Sequence, residues 1–141
     1  MSSDAMIAQE ELSAPLEMYD LAIPLQHGVA ELAARARALA DAGINIDAVK
    51  CATFASPSTC HLLVEDGARA ARILNGGSDG PVGYRPVLVY TLPNRPGTLA
   101  RYMQALVSRG VTLDFLYQAT AKGVVVAAPD LDSVRAAFAA A

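Results

Sequence analysis

The segment Asn94-Arg95-Pro96-Gly97-Thr98-Leu99 has the residue types of an anion-binding turn at the start of a helix. Pro96 suits the first helical position, where its fixed φ is already helical and its missing N–H is not needed. Gly97, without a Cβ, lets backbone or ligand approach closely. The N–H groups of Thr98 and Leu99 have no carbonyl one turn earlier to bond, and with the helix dipole they suit a carboxylate. Asn94 offers both a donor and an acceptor, enough to orient an α-amino group or to cap the turn. The same six residues also make sense as a structural turn that opens a helix, and both readings stand at this point.

Asn45 and Asp47, close behind Gly43, are either local backbone caps or polar groups presented to a ligand. His27, in Gln26-His27-Gly28, is either an exposed turn histidine or a ligand contact. His61 adjoins an apolar strand and reads as a sheet-surface residue, Tyr102 and Tyr117 as core or interface aromatics, and Arg69, Arg72 and Arg135 as solvated helix faces. The groups with acid–base or nucleophilic capacity are His27, His61, Cys60, Asp114 and Tyr117. They show no catalytic spacing, so no catalytic residue is assigned. Cys51 and Cys60 flank the Ala55–Thr59 turn and read as plain buried thiols. Two His and two Cys without C-x-x-C spacing predict no metal site, and no cofactor is expected.

The elements that must position these residues come in duplicate. Leu32-Ala33 through Gly43-Ile44-Asn45-Ile46-Asp47 recurs 67 positions on as Leu99-Ala100 through Gly110-Val111-Thr112-Leu113-Asp114. The register then slips by three, so that Val64-Glu65-Asp66 lines up with Ala128-Pro129-Asp130. A hairpin turn between two apolar segments can absorb such a slip. Hydrophobic periodicity predicts a strand at Tyr19–Leu25, a helix at Val29–Ala42 closed by Gly43, strands at Ile44–Phe54 and Cys60–Glu65, and a helix at Ala68–Leu74. Asn75–Pro81 reads as a linker. The second copy predicts a strand at Val87–Leu92, a helix at Gly97–Arg109 closed by Gly110, and a strand at Val111–Ala119. A turn at Lys122-Gly123, a strand at Val124–Ala128 and a helix at Asp132–Ala140 follow. This is an α+β chain of two ferredoxin-like βαββα(β) repeats, with helices on one face of antiparallel sheets and the other face free for a partner. The expected division is a tail at 1–16, a first repeat at 17–80 and a second at 81–141. The second repeat carries no final strand of its own in this sequence. Its strand Val87–Leu92 would be an open edge, expected to be covered by Val82–Arg85 or by another subunit.

Each repeat, near 60 residues, is marginal alone, so the two are expected to pack as a pseudo-dimer. An apolar fraction of 53% against 18% charged residues exceeds what a small core needs. A homodimer is therefore expected as well. A net charge of −3 without a basic cluster argues against nucleic acid. No apolar run reaches membrane-spanning length, the first residues lack the pattern of a signal peptide, and the chain reads as cytoplasmic.

With the repeat and its element order in place, Leu92-Pro93-Asn94-Arg95-Pro96-Gly97-Thr98-Leu99-Ala100 together with Gly110 resembles the ACT domain, a family of small amino-acid-sensing modules. Asp41-Ala42-Gly43-Ile44-Asn45-Ile46-Asp47 supplies the other half of that family's pattern. The resemblance covers about residues 17 to 141 and is similar to free-standing tandem-ACT proteins, which have no catalytic domain. It implies a non-catalytic regulatory protein that binds an amino acid or related small carboxylate. By position, the ligand would lie between Asn94, Arg95, Pro96, Gly97, Thr98 and Leu99 of one domain and Asn45, Ile46 and Asp47 of another. His27 sits in the counterpart loop of the first repeat. That loop departs from the pattern, with Val29-Ala30 where the second has Pro96-Gly97, and a Cβ at 30 is expected to degrade the twin site. The rival readings are a small enzyme reusing the cleft and a ligand-free module that docks on a partner enzyme.

Overall fold

Two helices of this protein end in the same hydrogen-bonding pattern. In the first, Gly43 N–H donates to Ala40 O (2.9 Å) and Ile44 N–H to Leu39 O (2.9 Å). In the second, Gly110 N–H donates to Val107 O (3.1 Å) and Val111 N–H to Leu106 O (2.9 Å). These are Schellman closures, and both glycines take the positive φ that such closures need, 74° and 65°. Three residues later Asp47 N–H reaches Leu63 O and Asp114 N–H reaches Ala127 O, each at 2.8 Å. Asp47 and Asp114 are 67 apart, whereas Leu63 and Ala127 are 64 apart. The register slip is therefore visible as a hydrogen bond repeated across it.

The computed structural model describes Leu12 and residues 14–53, 57–77, 80–120 and 123–141. Most of the 1–16 tail, Phe54–Ser56 of the first turn, Ser78-Asp79 of the linker and Lys122 of the second turn lie outside the described residues. The chain divides into two compact units, Met18–Pro86 and Val87–Ala141, the latter taking in the described residues before Met18. The first carries β1 (Leu16–Leu25), α1 (Val29–Asp41), β2 (Ala48–Lys50), β3 (Ser58–Val64) and α2 (Gly67–Leu74). The second carries β4 (Gly83–Thr91), α3 (Thr98–Ser108), β5 (Phe115–Gln118), β6 (Gly123–Ala127) and α4 (Leu131–Ala140). The fold is α+β, with strand, helix, two strands and helix in each unit.

In the first unit the strands run antiparallel in the order β2-β3-β1, with Leu21 opposite Leu62 and Ile23 opposite Cys60. Period-2 alternation puts Leu21, Ile23, Leu25, Cys60, Leu62 and Val64 on one face, packed with Leu39, Ala70 and Leu74 of the helices. Each helix also supplies an arginine to the other's C-terminus: Arg35 donates to Leu74 O (2.6 Å) and Arg69 to Ala42 O (2.8 Å). Arg69 is exposed, as a solvated face residue is, and ties the two helices as well. Gly67 opens α2 against Tyr19 and Tyr84, where an added Cβ would lie 2.6 Å from Tyr19 Cβ and 2.9 Å from Tyr84 Cδ2. A close approach of helix to strand therefore requires glycine at this position.

The second unit repeats the plan in the order β4-β6-β5, also antiparallel, with Val126 between Leu88 and Leu116. Phe138 of α4 sits at its centre, with ring centroids 4.6 Å from Tyr90 and 5.1 Å from Tyr102. Leu88, Leu106, Val126 and Val134 complete the buried cluster. Burial raises the pKa of the Tyr90 hydroxyl above its ordinary value.

Three expectations need correction. The strands after the two Schellman glycines are short: Ala48–Lys50 instead of Ile44–Phe54, and Phe115–Gln118 instead of Val111–Ala119. In the first, Asn45 Nδ2 donates to Asp47 Oδ1 (2.8 Å) just ahead of the strand. Gly83–Arg85 do not cover the edge of the following strand, because they are the beginning of that strand, β4. The sheet faces turned away from the helices are also not bare. Leu63, Val87, Val125 and Ala127 are each no more than 1% exposed, which accounts for part of the excess of apolar residues.

Both units use a carboxylate at a helix start. Asp66 Oδ1 accepts from Arg69 N–H at α2, and Asp130 accepts from the N–H groups of Asp132 and Ser133 at α4. At α1 the acceptor is Glu31, whose Oε1 takes the N–H groups of Gln26 (2.7 Å) and His27 (3.0 Å). The bond from Ser133 holds the Asp130 pKa below its ordinary value, and the bond from Gln26 does the same for Glu31. A carboxylate with a depressed native pKa contributes stability above its unfolded value and loses it as pH falls through the native one. The melting temperature is accordingly expected to be flat above the carboxylate range and to fall below about pH 4. Glu31→Gln and Asp130→Asn should each flatten that acid limb, and thermal melts across pH check it. An acid limb unchanged in both variants would contradict it.

Candidate functional site

The second unit holds a cavity of about 220 Å³ where β4 gives way to α3. Leu92, Pro93, Asn94 and Arg95 form one side, and Thr98 and Leu99 of the first helical turn form the rim. The opposite wall comes from Leu116, Tyr117 and Gln118 of β5 and Val124 of β6. Antiparallel pairing explains the convergence. β4 and β5 flank β6, so the end of β4 and the side chains of β5 frame one hollow beneath the start of α3. The volume is below the ~300–1,000 Å³ typical of drug-sized pockets and suits a ligand the size of one amino acid. Among the described residues its lining is mainly apolar and includes no carboxylate, and Arg95 supplies a positive charge.

The helix start differs in detail from the sequence expectation. α3 begins at Thr98, with Gly97 as its N-cap at φ 89° and Pro96 one residue outside the helix. A Cβ on Gly97 would meet nothing within 4 Å, so its left-handed φ, rather than a close approach, calls for glycine. Thr98 N–H is engaged by Arg95 O at 3.3 Å, and the turn is tightened by Arg95 N–H to Pro93 O at 3.0 Å. Leu99 and Ala100 N–H groups carry no hydrogen bond among the described residues, so the open donors lie one residue further along than expected. Leu99 is half exposed, and Asn94, Arg95 and Pro96 are exposed.

The counterpart loop of the first unit is built differently from the expectation too. Its N-cap is Gly28, which has a positive φ of 68° but a ψ of −141° where Gly97 has −15°, and α1 starts at Val29, so it is two residues longer than α3. Ala30 is the second residue of α1 and is exposed. What distinguishes the two loops is the third helical residue: Glu31 in α1, Ala100 in α3. Glu31 folds back onto the N–H groups of Gln26 and His27. Ala100 carries no such acceptor, and at the corresponding positions of the second loop Arg95 N–H goes to Pro93 O while Pro96 has no N–H. His27 is exposed, with its N–H given to Glu31.

Asn45, Ile46 and Asp47 lie in the first unit, with Asn45 exposed and the other two half-buried. The Asn45 side chain is engaged locally by that of Asp47, a bond that caps no backbone group. The residues missed by sequence reasoning are the far wall, Leu116, Gln118 and Val124, and the cavity-facing role of Tyr117. A second polar pair was also missed. Asp20, fully buried on β1, meets His61 Nδ1 on β3 at 2.9 Å, diagonally, two residues along β3 from its direct partner Leu63. His61 is therefore half of a largely buried pair on the sheet of the first unit. The described residues include no group of three or more potential metal-ligating side chains.

Known structures share this architecture. Protein BT0572 from Bacteroides thetaiotaomicron matches with a TM-score of 0.77 at 24% identity, over 91% of this chain and 90% of that one. The regulatory subunit of aspartate kinase from Thermus thermophilus, in its ligand-free form, matches with a TM-score of 0.67 at 17% identity, over 93% and 98%. The corresponding subunit from Thermus flavus gives 0.61 at 17% identity, over 92% and 97%. The fold is ACT-like. It is the fold of regulatory subunits, and this chain spans nearly their whole length. No family model and no curated protein matches the sequence.

Proposed function

We propose that this chain is a non-catalytic regulatory protein that senses an amino acid or a related small carboxylate in the cavity at Leu92–Leu99. The observation that carries the reading is the hollow of amino-acid size at the start of α3. The N–H groups of Leu99 and Ala100 open beside it. In this reading the N–H groups of Leu99 and Ala100 and the α3 dipole take the carboxylate, and Asn94 orients the amine. Leu92, Leu116 and Val124 receive the side chain. Asn45, Ile46 and Asp47, of this chain or of a second copy in a homodimer, provide the opposing segment that the ACT resemblance implies. Binding then shifts the balance between two packings of the protein by the difference in their affinities.

A thermal-shift screen of the twenty amino acids tests this. A ligand at a hundred times its dissociation constant stabilises by about 2.7 kcal/mol. For a chain of this size that is a rise of about 5–10 °C. No shift with any amino acid would overturn the reading.

A further inference from the structure

Cys51 and Cys60 form a second site with chemistry of its own, independent of the ligand reading. β2 pairs with β3 so that Ala48 faces Leu63, Val49 faces Leu62 and Lys50 faces His61. One further step brings Cys51 opposite Cys60. Directly opposed residues of an antiparallel pair have Cα atoms about 4.5–5.5 Å apart, inside the range a disulfide spans. Cys51 packs against the same buried cluster that contains Cys60. Their environments differ: Cys60 is fully buried, whereas Cys51 is half-buried at the end of β2.

We propose that Cys51 and Cys60 are a reversible oxidative modification site, in which a low-molecular-weight disulfide converts the cross-strand thiol pair into an intramolecular disulfide. The more accessible Cys51 reacts first. Its thiolate attacks one sulfur of the small disulfide RSSR, forms Cys51–S–S–R and releases RS⁻, which takes up a proton. Cys60 Sγ, its proton lost to solvent, then attacks Cys51 Sγ, forms the Cys51–Cys60 bond and expels the second RS⁻. Two protein thiols are oxidised, one RSSR is reduced, and two RSH leave.

The order of attack follows from burial. Desolvation, then the hydrogen bond with Cys51, then the Cys51 and Asp20 charges push the Cys60 pKa up to about 12, which keeps it a neutral thiol while Cys51 is free. Capping Cys51 as a mixed disulfide removes both contributions of Cys51 and makes Cys60 easier to ionise at the step that needs it. The bond closes a loop over residues 52–59 and ties the end of β2 to β3. The start of β2 follows directly on Asn45–Asp47, so the staple holds the strand behind that segment.

The test uses the full reduced chain equilibrated with glutathione disulfide and digested with trypsin without reductant. No Lys or Arg falls between Cys51 and Arg69, so both cysteines lie in one peptide, 51–69. The expected product is that peptide lighter by two hydrogens, formed reversibly, with both free thiols lost. Loop closure should raise the melting temperature by about 5 °C. Cys60→Ser should stop at a persistent glutathione adduct on Cys51, and Cys51→Ser should leave Cys60 unmodified. A wild-type chain that keeps both thiols, stops at the glutathione adduct or links only between chains would overturn the inference.

Discussion

Phe138→Ala is expected to cost the protein about 3–5 kcal/mol of stability, the range for emptying a fully buried aromatic site. The ring is 0% exposed and touches both Tyr90 on β4 and Tyr102 on α3, so its removal also dissolves two aromatic pairs. Each such pair adds about 0.5–1.5 kcal/mol beyond the area it buries. Small domains have only about 5–15 kcal/mol in total, so the variant should sit near the threshold of folding. The melting temperature is expected to fall by about 10–15 °C. Val107→Ala on α3, at a residue 69% exposed, should change stability by less than about 0.5 kcal/mol. Denaturant titration of both variants checks the contrast. A loss below about 1 kcal/mol for Phe138→Ala would mean that the second unit can close over the gap, against the rigid three-ring packing seen.

How much of this was legible in the sequence depends on whether the signal was local. Gly43 and Gly110 each follow an amphipathic run at a point where a helix must stop, and both adopt the left-handed closure their placement predicts. Asp66 and Asp130, aligned by the slipped register, both act as N-caps. The ACT-like fold follows from such repeated local rules, which is why resemblance and structure agree on it. The site was legible only in part. The Asn94–Leu99 loop was readable because turn chemistry is local. The far wall at Leu116, Gln118 and Val124 was not, because it depends on which strands flank β6. Asp20 and His61 are 41 residues apart, and only the β1–β3 register joins them. The start of α1 was also not legible, because a gapless alignment of the repeats hides that α1 begins two residues early and brings Glu31 to its third helical position.

Leu99→Asp is the substitution that separates folding from binding by moving them in opposite directions. Leu99 is the second residue of α3, half exposed at the rim of the cavity. An added carboxylate there meets the positive end of the helix dipole, and such placements stabilise by about 0.3–1 kcal/mol. The same charge would stand some 5–6 Å from a ligand carboxylate held by the Leu99 and Ala100 N–H groups. At an effective dielectric near 20 this repulsion is about 3 kcal/mol, or about a hundredfold in affinity. The melting temperature of the free protein should therefore hold or rise by about 1–3 °C, while the amino acid giving the largest shift in the wild-type screen should lose nearly all of its effect. Leu99→Asn, similar in size and uncharged, should retain most of the affinity, which isolates charge from shape. The variant thus gives the second loop a carboxylate at its helix start, as Glu31 gives the first. Calorimetric titration of both variants decides the matter: unchanged affinity in Leu99→Asp would place the ligand's carboxylate away from α3, and a collapse of stability would mean that the first turn of α3 is not the open, solvent-facing turn from which the site is built.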